Sequence, residues 1–511
     1  MTGKIVSLAI SSIAALAPLG AQAQEGQYRL QNATQLWRLT ENAATLQLDS
    51  SVNRGYAEFQ AEHRSGDYRR VQEGGQRNQL AFETERYQSI GKYLVGYGRF
   101  RFDMNRTKDR AWADVMRPYN ATPFFSGSSV RGKYDTQQFD LSAALGTTNF
   151  GGFRFGARLD YKVGDLSRLR DPRSRSELLQ YRITPAVAYT IGAYTLSFSG
   201  HYDRRKEKIP NMTTVQTDPN LKYYQMTGME HAAGLVGGYN GYSREWVNHQ
   251  MGAELGFGYH NGALCSVTTA GIVRSVEDVL GQYKYQPGRY TSYTYKAASH
   301  NRIDRGALLH EIDLDVNINE GYADEFRQQL IQERDAERGF TSYRYETQIE
   351  FKKRYQVRVT DAALRYRLNT VSQGAVTGYV GMGYSLRHVK NRHLLPQSQL
   401  GYDHFLLKAD GGKSLLRQRL WIDLSIGYHF AKNADLQLAA PNAEYAVEVL
   451  QPDMAYYRAN YWQGRIDVKY LFPLSIKGNR STAYVKAYAD ILRTNNSLDR
   501  KAIGLTVGFY N

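Results

Sequence analysis

Cysteine is almost missing from this chain: Cys265 is the single one in 511 residues. That excludes a disulfide scaffold and any CxxC metal or redox motif. Long apolar runs are missing too. No stretch beyond the N-terminus approaches 18 apolar residues, and the mean hydropathy is −0.55. A polytopic helical membrane protein is excluded on both counts. Proline is scarce (12), and phenylalanine (19) is outnumbered by tyrosine (40). A soluble core prefers Phe, because a buried phenol must find a hydrogen-bond partner. Tyr fits where one end of a ring is apolar and the other wet, as in a membrane interface. No GxSxG, HExxH, P-loop or GxGxxG pattern is present. The length would accommodate several soluble domains of ~100–200 residues, but this composition argues against that reading.

What is present starts with an export signal. Lys4 supplies a positive n-region, residues 5–19 are apolar and small, and Ala21-Gln22-Ala23 gives a small-x-small cleavage pattern. Cleavage after Ala23 is expected. No Cys lies near this site, which argues against lipoprotein processing.

Period-2 alternation dominates the rest. In residues 153–161, Phe153, Phe155, Ala157, Leu159 and Tyr161 alternate with Arg154, Gly156, Arg158 and Asp160. Residues 194–202, 251–259 and 420–430 repeat the pattern, as do Ile503, Leu505, Val507 and Phe509 at the C-terminus. Each segment has the ~9–11 residues that cross a bilayer at a tilt. One face is apolar, and the other is polar, often charged and rich in glycine. A soluble sandwich alternates as well. Aromatic ends on the apolar stripes (Tyr161, Tyr202, Tyr259, Tyr428) fit an interfacial girdle instead. Closure would also remove exposed strand edges.

Connections alternate in length. Short joins are expected near Ile90-Gly91, 150–152, Ile191-Gly192, Asn261-Gly262, Gln373-Gly374 and 410–413. Long ones run 64–76, 105–133, 165–177, 205–248, 277–290 and 431–458. Outer-membrane barrels place short turns in the periplasm and long loops outside. The expectation is all-β: a transmembrane antiparallel up-and-down β-barrel of about 18 strands, with 14 and 16 as alternatives. The domains are a signal peptide (1–23), an N-terminal periplasmic segment (24–53) and the barrel (54–511). Between residues 345 and 368 the alternation changes phase near Thr360, which fits a β-bulge or an unrecognised turn. Lys353 is expected on the lipid face near an interface.

The chain resembles a family of uncharacterised outer-membrane β-barrels of Gram-negative bacteria, a "domain of unknown function" family. The resemblance rests on Trp112-Ala113-Asp114-Val115 with Pro118-Tyr119 and Pro123, and on Gly281-Gln282-Tyr283-Lys284 with Pro287-Gly288-Arg289-Tyr290. Lys353-Arg354-Tyr355-Gln356-Val357, Leu450-Gln451-Pro452-Asp453 and the closing residues 504–511 also carry it. It covers most of the chain after the signal. It implies the barrel fold and the outer membrane, and no activity. One departure is that Tyr510 is penultimate, where the barrel-assembly signal usually ends in an aromatic residue.

Chemistry-bearing residues fall into three groups. Lumen candidates are Arg154, Arg158, Asp160 and Lys162, then Glu254, then Glu311, Asp313 and Asp315, and finally Glu346, Glu350, Arg354 and Arg358. Charged ladders of this kind set the selectivity of a pore, or they pair across the lumen and stiffen it. Loop candidates for a constriction or binding surface are Trp112, Asp114, Arg117, Phe124 and Phe125. Scattered histidines form the third group: His201 with Asp203, Glu254 with His260, and His388 and His393 without an acidic neighbour in sequence. Each is weighed against a hydrogen-bonded wall residue.

The net charge is +16, with basic runs in the loops, for example Arg168, Arg170, Arg173 and Arg175. Basic loops suit lipopolysaccharide or an acidic ligand, whereas nucleic acid does not suit an exported barrel. The expected function is a channel or transporter for small or oligomeric solutes. The alternatives are a non-enzymatic accessory or scaffold barrel in a surface complex and, remotely, a barrel-embedded hydrolase. No cofactor and no enzyme activity are expected. Expected partners are outer-membrane lipid and lipopolysaccharide, the barrel-assembly machinery, and surface or TonB-linked proteins.

Overall fold

The computed structural model describes residues 24–49, 53–116, 122–214, 221–236, 242–335, 337, 339–476 and 479–510. The expected signal peptide and Arg117 lie outside these residues. From the N-terminus the strands are β1 (Arg54–Gly66), β2 (Gln76–Ile90), β3 (Leu94–Arg110), β4 (Ser126–Ser128), β5 (Gly132–Thr147), β6 (Phe153–Arg168), β7 (Arg173–Ile191) and β8 (Tyr194–Ile209). Three short strands follow, β9 (Met212–Thr213), β10 (Lys222–Gly228) and β11 (His231–Val236). Then come β12 (Arg244–Asn261), β13 (Leu264–Gly281), β14 (Gly288–Asp304), β15 (Leu308–Asp335), β16 (Phe340–Ser372) and β17 (Ala375–Leu394). The last are β18 (Gln397–Leu415), β19 (Leu420–Gln437), β20 (Tyr461–Ile476), β21 (Asn479–Thr494) and β22 (Asp499–Tyr510).

Without β4, β9, β10 and β11, the remaining 18 strands form one antiparallel wall. Each pairs with the next, β8 pairs with β12, and β22 returns to β1 through Tyr56 opposite Tyr510 and onward to Gly66 opposite Arg500. The ring is closed, so no barrel edge is left to aggregate.

The alternation seen in sequence is the reason for this wall. Phe155 (52% exposed), Met251 (66%), Leu255 (64%) and Ile503 (58%) point outward, while Arg154, Arg158, Asp160 and Glu254 point inward. Apolar side chains at such exposure, repeated round the whole ring, form a belt that only lipid can cover. Aromatic pairs cluster at its tight-turn end, as with Phe153 and Tyr189 (centroids 4.5 Å) and Tyr194 and Tyr259 (5.2 Å). The chain is therefore a membrane-spanning β-barrel of outer-membrane type. Among the described residues, no helix is long and apolar enough to cross a membrane.

Two expectations of detail are corrected. The join between β18 and β19 lies at Leu416, Arg417 and Gln418, all with positive φ, rather than at 410–413. Gly411-Gly412 reads as a turn in sequence but sits inside β18. A Cβ on Gly412 would meet the Tyr379 ring at 2.4 Å, so this glycine admits a close approach. The phase change expected near Thr360 lies earlier. Ala323 pairs with Tyr355 and Glu325 with Phe351, so the bulge falls on residues 352–354, with Lys353 at φ 52° and its ammonium over the Tyr322 ring. Pairing of β14 to β15 stops at Glu325, and pairing of β16 to β17 begins at Tyr355. Beyond these points β15 and β16 continue as a two-stranded ribbon free of the barrel wall, about 30 Å long, with the β13–β14 connection against its base through Tyr283 on Tyr343 and Tyr285 on Tyr345.

Candidate functional site

Residues 24–49 fold against inward-facing side chains at the tight-turn end. The helix Gln24–Thr34 is followed by single 3-10 turns at Leu36–Leu39 and Ala43–Thr45. Glu25 and Arg29 are one helical turn apart and pair at 2.8 Å. Arg29 reaches across to Asp423 of β19 through two 2.8 Å bonds, with its guanidinium 4.1 Å from the Trp421 ring centroid. Glu25 also receives Lys469 of β20 at 2.7 Å and the Tyr510 hydroxyl. Burial alone would raise the Glu25 carboxyl, but Lys469 and Arg29 hold it down at about 2. Arg302 of β14 donates to the Ala33 carbonyl at 2.6 Å, and Arg38 pairs with Glu85 of β2 at 3.2 Å. Farther along, the Ala43–Thr45 turn packs on glycines of β5 and β6. A Cβ on Gly156 would lie 2.3 Å from the Ala44 nitrogen. Gly156→Val is therefore expected to loosen the turn by about 1–3 kcal/mol, read as faster amide exchange at residues 43–46.

Three loops close over the other end. β10 pairs with β4 and β11 in a small sheet, and the helix Gln451–Tyr457 packs beside it. Trp112 is buried between Tyr224 (4.3 Å) and Tyr445 (5.2 Å), and its Nε1 donates to Glu448 at 2.9 Å. Phe124 is buried in a core shared with Val115, Met229, Trp246 and Met454, and its carbonyl accepts from Trp246 Nε1 at 2.6 Å. Phe125 meets Tyr445 edge-on at 6.4 Å. Asp114 has no exposed surface. It accepts from the Tyr134 hydroxyl at 2.7 Å and the Ser174 hydroxyl at 2.6 Å, with Arg168 at 3.9 Å. Glu230 ties the β10–β11 turn to the start of β18 and to the β19–β20 loop by accepting from Ser398 and from the Ala439 and Ala440 amides.

Asp453 gives this cap a pH dependence. It is buried and accepts from the Val71 amide at 2.8 Å. Burial pushes its carboxyl up to about 7, against the pull of the Val71 N–H and Arg70. The ordinary value is 3.8. The docked loop thus keeps a proton that the undocked loop has already released. Docking is fully favoured below that ordinary value and weakens as pH rises to about 7, by up to ~1.4 kcal/mol per unit. After correction for intrinsic rates, amides of residues 446–457 are expected to exchange faster above about pH 7 than near pH 5. Asp453→Asn is expected to flatten that difference.

Between the two covers the lumen holds a cavity of about 540 Å³. Leu39 and Glu41 of the N-terminal segment bound it on one side. On the other side, His404 and His429 line it while bonding the Tyr457 and Ala459 carbonyls of the β19–β20 loop at 3.1 Å each. Glu254, Lys296, Asp315, Asp361 and Arg387 project from the wall. Elsewhere the wall is paired: Arg99 and Arg101 on Glu83, Arg465 and Lys486 on Asp467. Tyrosines join this network. Tyr56 donates to Glu83 (2.6 Å), Tyr484 to Glu58 (2.7 Å) and Tyr379 to Asp423 (2.8 Å). Much of the Tyr excess therefore satisfies lumen carboxylates, beyond its place in the girdle.

The profile of a family of unknown function (DUF6850) matches residues 43–511. The chain belongs to this family. No curated protein matches the DUF6850 chain. Among solved structures it is similar to the FrpB iron transporter from Neisseria meningitidis, at 10% identity and TM-score 0.41, over 92% of this chain and 83% of that one. It is also similar to the outer membrane transporter YddB from Escherichia coli, at 10% identity and TM-score 0.41, over 90% and 81%. The copper transporter OprC aligns at 9% identity and TM-score 0.39, over 90% and 82%.

The sequence-derived candidates divide cleanly in this DUF6850 barrel. Arg154 faces inward and bonds Thr190 (2.9 Å) and Gln47 (3.2 Å). Arg158 pairs with Asp160 (2.9 Å), and Lys162 with Asp140 (3.2 Å). Glu311 and Asp313 share Arg302 at 3.3 and 2.7 Å, and Asp313 also meets His300 at 2.9 Å. Glu254 and Asp315 reach the cavity. Three lumen assignments are overturned. Glu346 and Glu350 lie exposed on the free ribbon, and Arg358 faces outward beside Glu320 (3.4 Å). The bulge at residues 352–354 switches the faces there. Arg354 sits at the rim on Glu325 (3.0 Å). The loop candidates Trp112, Asp114, Phe124 and Phe125 all belong to the cap.

The histidine pairings dissolve. Asp203 is engaged by Arg182 (3.1 Å) and Gln180 (2.7 Å) rather than by His201. Glu254 and His260 are six strand residues apart, about 20 Å. His388 does find an acid, Asp403 at 2.5 Å, on the neighbouring strand and on the outward face. Among the described residues no three His, Cys, Asp or Glu side chains gather as a metal site. Sequence reading missed Lys296, Asp361 and Arg387. It also missed the anchoring role of Glu25 and Arg29, whose i,i+4 spacing was the available signal.

Proposed function

We propose that this chain is a gated transporter of small polar solutes in the outer membrane of a Gram-negative bacterium. The supporting observation is the cavity of about 540 Å³ held between the N-terminal segment and the loop cap. A barrel of 16–18 strands leaves an aqueous interior when nothing fills it. Here both fillings are parts of the same chain: the N-terminal segment is held largely by ion pairs and hydrogen bonds, and the cap by these together with an apolar core. On this reading residues 1–23 direct export, residues 24–53 form the periplasmic-side gate and residues 54–511 form the pore. The basic rim faces lipopolysaccharide, and the last strand engages the assembly machinery.

The test is solute flux into liposomes carrying the full chain. Slow passage of small polar solutes is expected, with exclusion of solutes larger than the cavity. A barrel that stays silent even after residues 24–49 are removed would overturn the reading. A second reading, an accessory barrel in a surface complex, draws on the free ribbon with its exposed Leu330, Phe340, Tyr343 and Ile349. It predicts a surface or TonB-linked protein co-purifying in mild detergent and lost when the ribbon is shortened at 326–350.

A further inference from the structure

Strand register fixes a level row of side chains round one side of the cavity. Glu254 stands opposite Gly271, Gly271 opposite Lys296, and Lys296 opposite Asn317. Asn317 stands opposite Asp361, Asp361 opposite Arg387, and Arg387 opposite His404. The charges alternate in sign along this row. Asp361 and Arg387 neutralise one another at 3.7 Å, and Glu41 above them is held by Arg182 at 2.8 Å. Glu254 and Lys296 differ. They are two strands apart, about 10 Å between backbones, and the residue between them is a glycine, so no side chain bridges them. Neither is in an ion pair among the described residues, although both face the same cavity.

We infer that Glu254 and Lys296 form a binding site for a small zwitterion, a molecule of amino-acid or dipeptide size carrying one ammonium and one carboxylate. This deepens the transporter reading and rests on it for passage through the membrane, though not for binding. Glu254 is half-buried while Lys296 is exposed to the cavity, and a ligand charge of opposite sign gains a charge-assisted hydrogen bond at each. A simple anion would satisfy Lys296 and be repelled by Glu254. A simple cation would do the reverse, and a neutral sugar would satisfy neither. A zwitterion lying over Gly271 satisfies both, with its ammonium at Glu254 and its carboxylate at Lys296. The Thr269 hydroxyl, on the same strand and also lining the cavity, supplies a further hydrogen bond. Asp315 is a second carboxylate without an ion pair among the described residues, one level from Lys296. The site therefore favours ligands of net charge zero or plus one over those of net negative charge.

The probe is L-alanyl-L-alanine titrated calorimetrically into the full-length protein in detergent. Acetylating its amine or amidating its carboxylate is expected to weaken binding about tenfold or more, since each cap removes a charge-assisted hydrogen bond. Glu254→Gln is expected to erase the dependence on the amine, and Lys296→Met the dependence on the carboxylate. The exchanged pair Glu254→Lys with Lys296→Glu is expected to restore zwitterion binding, with the ligand reversed. This variant separates a lost site from a lost fold. Equal binding of capped and uncapped dipeptides, no heat from any of them, or an exchanged pair no better than the single variants would overturn the site. Flux without zwitterion preference overturns the site and leaves the transporter standing. Zwitterion binding without flux in any variant overturns the transporter and leaves the site standing.

Discussion

Deleting residues 24–49 is expected to turn a nearly silent barrel into an open pore, read as a large rise in single-channel conductance in planar bilayers. The wall does not need these residues to close, since β22 pairs directly with β1. What the deletion removes is the mass that fills the tight-turn end. Point variants are expected to give a graded form of the same result. Asp423 is bound by both terminal nitrogens of Arg29 and lies largely out of solvent. Arg29→Ala strands that carboxylate and loosens Glu25, whereas the rest of the contacts remain. Breaking a half-buried, charge-assisted pair of this kind from one side costs about 1–3 kcal/mol, and the loss falls on docking of the segment rather than on the barrel. Flickering openings are expected in place of a steady pore. Lys469→Met acts on the same knot through Glu25. Conductance unchanged by both point variants and by the deletion would show that the N-terminal segment does not limit the path.

Asp114→Ala is expected to release the outer cap while leaving the wall intact. Asp114 and Arg168 side chains are both fully buried. The carboxylate is the acceptor for Tyr134 and Ser174, so three groups lose a partner at once. The cost is about 3–5 kcal/mol, most of it from leaving the Arg168 charge uncompensated. Rapid protease cleavage within residues 111–131 is expected, with the barrel still migrating as a folded species. Asp114→Asn keeps an acceptor and is expected to do less damage. Adding Arg168→Met to Asp114→Ala is expected to recover part of the loss, because an apolar pair costs less than a lone buried charge. Cleavage at the wild-type rate in Asp114→Ala would show that the cap is held by its apolar core alone.

Some of this site was legible in the linear chain. Trp112, Asp114, Phe124 and Phe125 stood out as a loop cluster, and the structure buries the first three in the cap and packs a half-buried Phe125 against them. The ladder of Arg154, Arg158, Asp160 and Lys162 was read on its correct face. Arg358 was not, because a bulge of a few residues at 352–354 inverts the faces beyond it, and the acids at 346 and 350 were not, because β15 and β16 run past the barrel wall there. Local alternation reports that a face has changed without saying where the change is made. Lys296 was passed over because its strand, β14, shows weak alternation, with Lys296 itself flanked by Tyr295 and Ala297. The N-terminal segment read only as a periplasmic segment ahead of the barrel. Its fit to the barrel interior depends on glycines such as Gly156, more than a hundred residues away.

By itself the sequence determined the class of structure: an exported, closed antiparallel barrel with an apolar outside and a charged inside. Side-chain alternation is a local property of each strand, and a bilayer demands it at every strand, so the signal survives averaging over the whole chain. Only the tertiary structure decided which charges cancel and which are left facing the cavity. Glu254, Lys296, Asp361 and Arg387 are separated by up to 133 positions in sequence, yet register places them on one level. Register is set by pairing across strands, and a single bulge shifts it, so no local pattern encodes it.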